Sequence, residues 1–513
     1  MRMDIILSQL NNIDIKRRFM KYKLNYVFKM ILIVVVTICL SGCFNKTIST
    51  TISEEEYLNS LVIPNQDNIE EDFWLHKYHE ITDLKWNSSN DNIINVDGNF
   101  AKVNKNKETY NITLTATTQN GYSRDFDFIV RGHNDETDIY NDIQFIKYEY
   151  YQFIFSDTEL PTLGPNGSSI NWKTDNKFVE IVDNVLIKQS DEEKVNIKLD
   201  VELSKNGYSD SVQIELVLLD EFGGYIMSYF NGETEKETGK FAYSYDGLHW
   251  TDLNKGEPIL ESTLGTKRVR DPYIGRNRDG EFIILATQGF DNPDIYYWES
   301  TDLIELNDHR LIKVAKYDEK IQSSGERAWA PQFYYDIDDD IYYIYYSDPK
   351  ISSMNNEGNI LAIKTKDFNE FSDPFIMYGP GYKVIDGTIV HNGGNRWIIY
   401  KDEREGAKTI YTAKLFELDN DSEITYDDKY IFNQRYIEGP FVVDDPYSTK
   451  NYLYVDHFPK EKFYVAEYTT LGKNNDIRWL DESEYTLPNS DVRHGSSIPV
   501  TKKELNRLLQ HYK

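Results

Sequence analysis

The sequence predicts an all-β chain in which two small β-sandwich modules precede a five-bladed β-propeller, and two internal repeats carry that reading. The first repeat begins at Arg270-Asp271-Pro272-Tyr273-Ile274, turns at Asp279-Gly280 and returns through Phe282-Ile283-Ile284-Leu285-Ala286-Thr287. Related stretches start at Trp329-Ala330-Pro331-Gln332, Ile385-Asp386-Gly387-Thr388 and Glu438-Gly439-Pro440-Phe441, each leading into a run rich in β-branched and aromatic residues. From Pro272 through Pro331 and Gly387 to Pro440 the steps are 59, 56 and 53 residues, too long for a hairpin and right for a sheet of about four strands. A fifth blade would close from Gly224–Tyr229 at one end of the domain and Ser497–Val500 at the other. The second repeat has a spacing of 86 residues: it matches Trp86 with Trp172, Asp97 with Asp183, and Asn120-Gly121-Tyr122-Ser123 with Asn206-Gly207-Tyr208-Ser209.

Taken in order, residues 1–42 read as an export signal. Lys21, Lys23 and Lys29 precede the apolar run Met30–Leu40, which has signal-peptide length and is too short for a stable membrane span. Translation from Met1 or from Met20 fits this pattern. The run ends in Leu40-Ser41-Gly42-Cys43, which resembles a bacterial lipobox. The resemblance implies cleavage before Cys43 and lipidation of its thiol, so that the protein is anchored at the outer face of the membrane or on the cell surface. Cys39 and Cys43 are the only cysteines, so no disulfide framework holds the fold. Residues 43–60 are polar, include Glu54-Glu55-Glu56, and read as a tether. Residues 61–135 and 136–220 form the repeated modules. Their alternating strands, such as Asn111–Ala116 and Val195–Val201, resemble the atrophied bacterial immunoglobulin-like modules found beside secreted glycosidases. They show no cluster that demands a ligand and read as spacers, with Trp86 and Trp172 as core residues. Residues 221–513 form the propeller, which ends in a polar helix from Lys502 to His511.

A net charge of −29 argues against nucleic acid as a partner, because phosphate contact needs a basic face. It equally disfavours a polyanionic glycan. Aromatic residues make up 14% of the chain, with 39 Tyr, more than the strands alone require; flat rings of this kind also stack on sugar faces. The chain reads as a monomer.

Carboxylates recur where three of the repeated strands begin, at Asp271, Asp386 and Glu438. Acids gathered in one funnel raise one another's pKa, so one can stay protonated while another stays ionised. Hydrolysis of a glycoside makes that demand. The motifs Arg270-Asp271-Pro272, Trp329-Ala330-Pro331, Ile385-Asp386-Gly387, Glu438-Gly439-Pro440 and Arg493-His494-Gly495-Ser496, in this order, resemble glycoside hydrolase family 43. The resemblance implies inverting hydrolysis of neutral plant-type glycans, arabinofuranosidase-like or xylosidase-like. It makes Asp271 the general base, Glu438 the general acid and Asp386 the residue that orients the acid and raises its pKa. It places Arg270, Trp329 and His494 at the substrate, requires no cofactor, and lets His494 reach a structural calcium through water. Gly387 and Gln332 depart from the family's common residues and leave the sugar open.

Several readings stand side by side. Trp329 is a sugar platform or a core residue, and His494 is axial or makes a strand-end hydrogen bond. Lys401-Asp402-Glu403-Arg404 is a solvated charge run or holds sugar hydroxyls, whereas the acidic runs Asp338–Asp340 and Asp419–Asp428 read as solvated turns rather than metal loops. A catalytically silent glycan-binding propeller is the reading from another class, and fructan-acting hydrolases or glycoside phosphorylases are the competing enzymes.

Overall fold

The computed structural model describes residues 53–512, apart from short stretches within 62–81, 232–235, 319–322, 350–357, 405–407, 416–434, 445–449 and 472–476 and the single positions 381, 461, 489 and 490. The expected export signal and Cys43 lie outside the described residues. The fold is nearly all-β; among the described residues the α-helices are α1 (Glu54–Ser60), α2 (Asp135–Glu149) and α3 (Lys502–His511).

The first module has two three-stranded sheets. One orders Phe73–Trp74, Phe100–Val103 and Ile94–Asp97; the other orders Lys85–Ser88, Tyr110–Thr117 and Ser123–Val130. Both sheets supply one core, in which Trp86 packs at 5.3 Å on Phe126 beside Leu114, Phe128 and Ile94. Tyr57 and Leu58 join this core, so the expected tether ends before residue 60. The second module repeats the arrangement, with Trp172, Leu199, Leu203 and Leu216 in its core.

The sequence reading did not anticipate α2 between the modules. Asn134 caps it by accepting from the N–H groups of Glu136 and Thr137, three acids fill its first turn, and Ile139, Ile143 and Ile146 are buried. These are ordinary helix-start and amphipathic signals.

The expected boundary at 220/221 falls inside one continuous strand, Tyr208–Asn231. Its first half pairs with Lys194–Lys205, and its second half pairs with both Thr238–Ser244 and Arg493–Thr501. The strand changes sheets at Gly224, where φ is +149° and a Cβ would lie 2.5 Å from the Ser244 carbonyl oxygen, so only glycine fits. The second module also touches the C-terminal region through side chains. Tyr151 stacks on Tyr334 at 5.4 Å, and His391 Nδ1 donates to the Tyr148 carbonyl oxygen at 2.9 Å.

Five four-stranded antiparallel sheets follow. Sheets one to four begin with the strands Val269–Arg276, Trp329–Asp336, Val384–Asn392 and Ile437–Asp444, and in each the strands lie side by side in chain order. In sheet five, Arg493–Thr501 from the end of the chain pairs with Tyr225–Asn231, followed by Thr238–Ser244 and Trp250–Asp252. The five starting strands contact one another in order, and Arg493–Thr501 touches both Ile437–Asp444 and Val269–Arg276. Helix α3 is fastened by a Thr501–Glu504 capping box, and Glu504 forms a buried ion pair with Arg276 at 2.8 Å.

Candidate active site

Each starting strand opens with the same irregularity: one extra residue is inserted just after the strand start, a β-bulge. The strand-start residues are Arg270, Trp329, Ile385, Glu438 and Arg493, and the inserted residues are Asp271, Ala330, Asp386, Gly439 and His494. Asp271, Ala330, Asp386 and Gly439 all have left-handed backbones, with φ of +47°, +46°, +55° and +54°. For a residue other than glycine this costs about 1–3 kcal/mol, and such strain collects at functional sites.

This register corrects the expectation that the three acids share one position. Asp271 and Asp386 are bulge residues, but Glu438 precedes the bulge and is equivalent to Arg270 and Trp329. In the fourth sheet the bulge is Gly439, and a Cβ there would come within 2.6 Å of the His494 ring. An aspartate at the fourth bulge would collide with that imidazole.

The bulge residues form the inner cluster. His494 is buried, with Nδ1 3.5 Å from Asp271 Oδ1 and 4.0 Å from Asp386 Oδ2. Asp386 Oδ2 also accepts the Gly439 N–H at 3.0 Å. Burial pushes the Asp386 carboxyl up to about 6; His494 opposes the shift and Glu438 adds to it.

Glu438 has a different environment. Lys401 Nζ donates to its Oε2 at 2.7 Å and Arg493 Nη2 to its Oε1 at 3.1 Å. Burial pushes this carboxyl up, but Lys401 and Arg493 outweigh it and hold the group below its ordinary value. In the free site the proton therefore favours Asp386 over Glu438, the reverse of the order expected from the sequence.

Asp456, which the sequence reading passed over, lies opposite Glu438 on the next strand and is fully buried. Its Oδ2 accepts from Arg493 Nε at 2.7 Å, and its buried Oδ1 has no hydrogen-bond partner among the described residues. Burial raises its carboxyl to about 7 against the pull of Arg493.

Arg270 and Arg493 flank the ring of Phe230 at 5.2 and 5.5 Å. Arg270 has one distant ion pair, to Glu237 at 3.6 Å, and a buried Nε without a partner among the described residues. Trp329 is half-buried. Its indole N–H donates to the Phe290 carbonyl oxygen, its ring meets Phe290 at 4.7 Å, and Arg327 lies over both rings. Phe290 is 44% exposed, so this pair forms an accessible aromatic wall rather than core.

The run Lys401–Arg404 is not a solvated one, since Lys401 and Asp402 are buried and Arg404 pairs with Asp402. Asp338 is solvated, with its side chain 73% exposed; the acidic stretch 419–425 lies outside the described residues. Gln332, one of the departures from the family pattern, donates its Nε2 to Thr388 Oγ1 at 2.8 Å, and Thr388 Oγ1 donates onward to the Pro440 carbonyl oxygen. Calcium takes six to eight oxygen ligands. Among the described residues no group of three or more His, Cys, Asp or Glu is arranged to hold a metal, and the neighbours of His494 do not make such a set.

Residues 220–506 match a family model described as a probable glycosyl hydrolase domain, of the type related to glycoside hydrolase family 43. An α-L-arabinofuranosidase of Bifidobacterium longum is 24% identical over 200 residues, which cover 34% of this chain and 19% of that protein; the chain thus spans less than two thirds of its curated relative's length. Among solved structures, an α-L-arabinofuranosidase from Lactobacillus brevis aligns with a TM-score of 0.35 at 13% identity, covering 45% of this chain and 89% of that one. A xylan β-1,4-xylosidase from Bacillus halodurans aligns at 0.31 and 18% identity, covering 41% of each chain.

Proposed function

The chain belongs to the family of probable glycosyl hydrolase domains related to glycoside hydrolase family 43, and we propose that it is an inverting glycosidase acting on neutral plant-type glycans, arabinofuranosidase-like or xylosidase-like. One observation carries the reading: Asp271 and Asp386 occupy strained bulges that face one buried imidazole, with Glu438 beside them on the adjoining strand. Asp271 is the general base that takes a proton from water. Glu438 protonates the leaving oxygen, and Asp386, tied to the N–H of the residue after Glu438, fixes where that acid stands. An inverting pair needs room for the water, roughly 6.5–9.5 Å between carboxyl groups. The five sheets are the blades of a five-bladed propeller, Arg270 and the Phe290–Trp329 wall bind sugar, and the two modules are immunoglobulin-like.

A panel of nitrophenyl glycosides identifies the sugar, and proton NMR of the first-formed product decides the mechanism. Inverted anomeric configuration supports these roles; retained configuration rejects them. The double ion pair on Glu438 also suits a silent glycan-binding protein, which would bind oligosaccharides and turn none over.

We further propose that the protein is a lipoprotein anchored through Cys43, motivated by Leu40-Ser41-Gly42-Cys43. Labelled palmitate should enter the protein and be lost in Cys43→Ala; label that persists in the variant rejects the anchor.

A further inference from the structure

Opposite the strand-start residues, the second strands of sheets one to four carry Thr287, Ser347, Lys401 and Asp456. Three of these perform one structural task, accepting the N–H of the bulge residue in the next sheet. Thr287 Oγ1 accepts from Ala330 at 2.8 Å, Ser347 Oγ from Asp386 at 2.7 Å, and Asp456 Oδ2 from His494 at 3.3 Å. Lys401 breaks the series, because an ammonium has three donors and no acceptor. The N–H of Gly439 is taken instead by Asp386 Oδ2.

The position has given up its structural task and holds a buried cation in exchange. The Lys401 side chain is 4% exposed, and its Nζ lies 2.7 Å from Glu438 Oε2 and 2.5 Å from Glu403 Oε1. A buried ammonium is costly unless it is paired, and both partners here are carboxylates, one of them the proposed proton donor.

We propose that Lys401 is a positioning residue for the reaction, an ammonium bridge between Glu438 and Glu403 that orients the acid and sets the pH above which it can no longer deliver a proton. The inference rests on the proposed role of Glu438. In that step Asp271 takes a proton from water, the water oxygen bonds to the anomeric carbon as the bond from that carbon to the glycosidic oxygen breaks with its electron pair going to the oxygen, the glycosidic oxygen takes the Glu438 proton, and Glu438 becomes a carboxylate. Lys401 Nζ already stands where that charge appears. The same contact makes the protonated acid scarce as pH rises. Glu438 is also faced by Arg493 and His494 from the last strand, Asp386 from the third sheet and Asp456 from its own sheet; Glu403 sits beyond the ammonium. Charge changes at Lys401 and Glu403 should therefore move the acid in opposite directions.

The test uses the full chain and the pH dependence of kcat/KM on an alkyl glycoside, whose leaving oxygen needs protonation. An opposite charge within about 4–6 Å shifts a carboxyl by about 1–3 pH units, so Lys401→Met should move the alkaline limb upward by about that much. Glu403→Gln, which leaves the ammonium to Glu438 alone, should move it downward, and Lys401→Arg should keep the limb near its original place. A merely structural lysine would lower the rate in every variant without these opposed shifts. As a readout independent of turnover, the carboxyl carbon-13 resonance of Glu438, assigned with Glu438→Gln, should titrate at higher pH in Lys401→Met. Unmoved titration in folded Lys401→Met overturns the inference. Absence of turnover in the unsubstituted protein, with the resonance shifting as stated, overturns the enzymatic reading and leaves the bridge standing.

Discussion

Asp386 in the third sheet and Glu438 in the fourth stand where adjoining strands begin, and the N–H of Gly439 ties one carboxylate to the other's chain. Burial pushes both toward the neutral form. Asp386 accepts a backbone N–H and has an imidazole 4.0 Å away, with no ammonium or guanidinium hydrogen-bonded to it among the described residues, and its carboxyl rises to about 6. Glu438 meets an ammonium on one oxygen and a guanidinium on the other, and its carboxyl falls. Desolvation is thus common to the pair, and the placement of two cations decides which group holds the proton. In a cluster of several acids, proton order follows from which carboxyl the cations of the neighbouring strands reach and not from the number of acids.

The largest expected effect separates the base from this pair. Asp271→Asn should lower kcat by on the order of 10⁴, the upper end for lost proton transfer, and for every leaving group alike. Glu438→Gln should cost on the order of 10² to 10⁴ on poor leaving groups and far less on an activated nitrophenyl glycoside. A set of substrates graded by leaving-group pKa checks both; equal losses across the set for Glu438→Gln would remove the distinction between Glu438 and Asp271.

A smaller effect tests the link between the two carboxylates. Gly439→Ala places a Cβ at φ +54° and 2.6 Å from the His494 ring, so either the bulge or the imidazole must move. We expect a loss of about 1–3 kcal/mol in unfolding free energy, read by denaturant titration, together with a fall in activity as the N–H to Asp386 is displaced. A variant of unchanged stability would show that His494 has room to yield.

Much of this was legible in the sequence. The turn residues and apolar runs marked the sheets, because Gly, Pro and Asp are needed where the strands start and reverse. Asp271, Asp386, Glu438, Arg493 and His494 were visible as motifs and come together. What was not legible depended on register. A one-residue offset, which separates Glu438 from Asp271 and Asp386, is invisible until the bulge is seen. Lys401 and Asp456 sit at the ends of strands in stretches that look like surface charge, and only the opposing strand makes them part of the site. The helix α2 was readable, since Asn134 and the isoleucines at 139, 143 and 146 carry its signals, but the expected module boundary lay over it. The boundary at 220/221 lies where one strand passes from one sheet to the next, and a strand that serves two sheets has no break in its apolar pattern.

The smallest expected effect concerns Asp456, which extends the comparison to a third carboxyl. It is buried like Asp386, yet it contacts Arg493 like Glu438, and burial still wins, raising it to about 7 from an ordinary 3.8. The difference from Glu438 is that Arg493 is shared between the two, while Lys401 donates to Glu438. A carboxyl raised on folding binds its proton more tightly in the folded state. Its contribution to stability is complete below about pH 4 and is lost as pH rises toward 7. Asp456→Asn keeps an oxygen to accept from His494 and Arg493 while removing the proton equilibrium. Unfolding free energies of the two proteins measured from pH 4 to pH 8 should therefore diverge, the unsubstituted protein losing stability relative to the variant across that window. Parallel curves would mean that Asp456 ionises at its ordinary pH, and that Arg493 fully offsets the burial of Asp456.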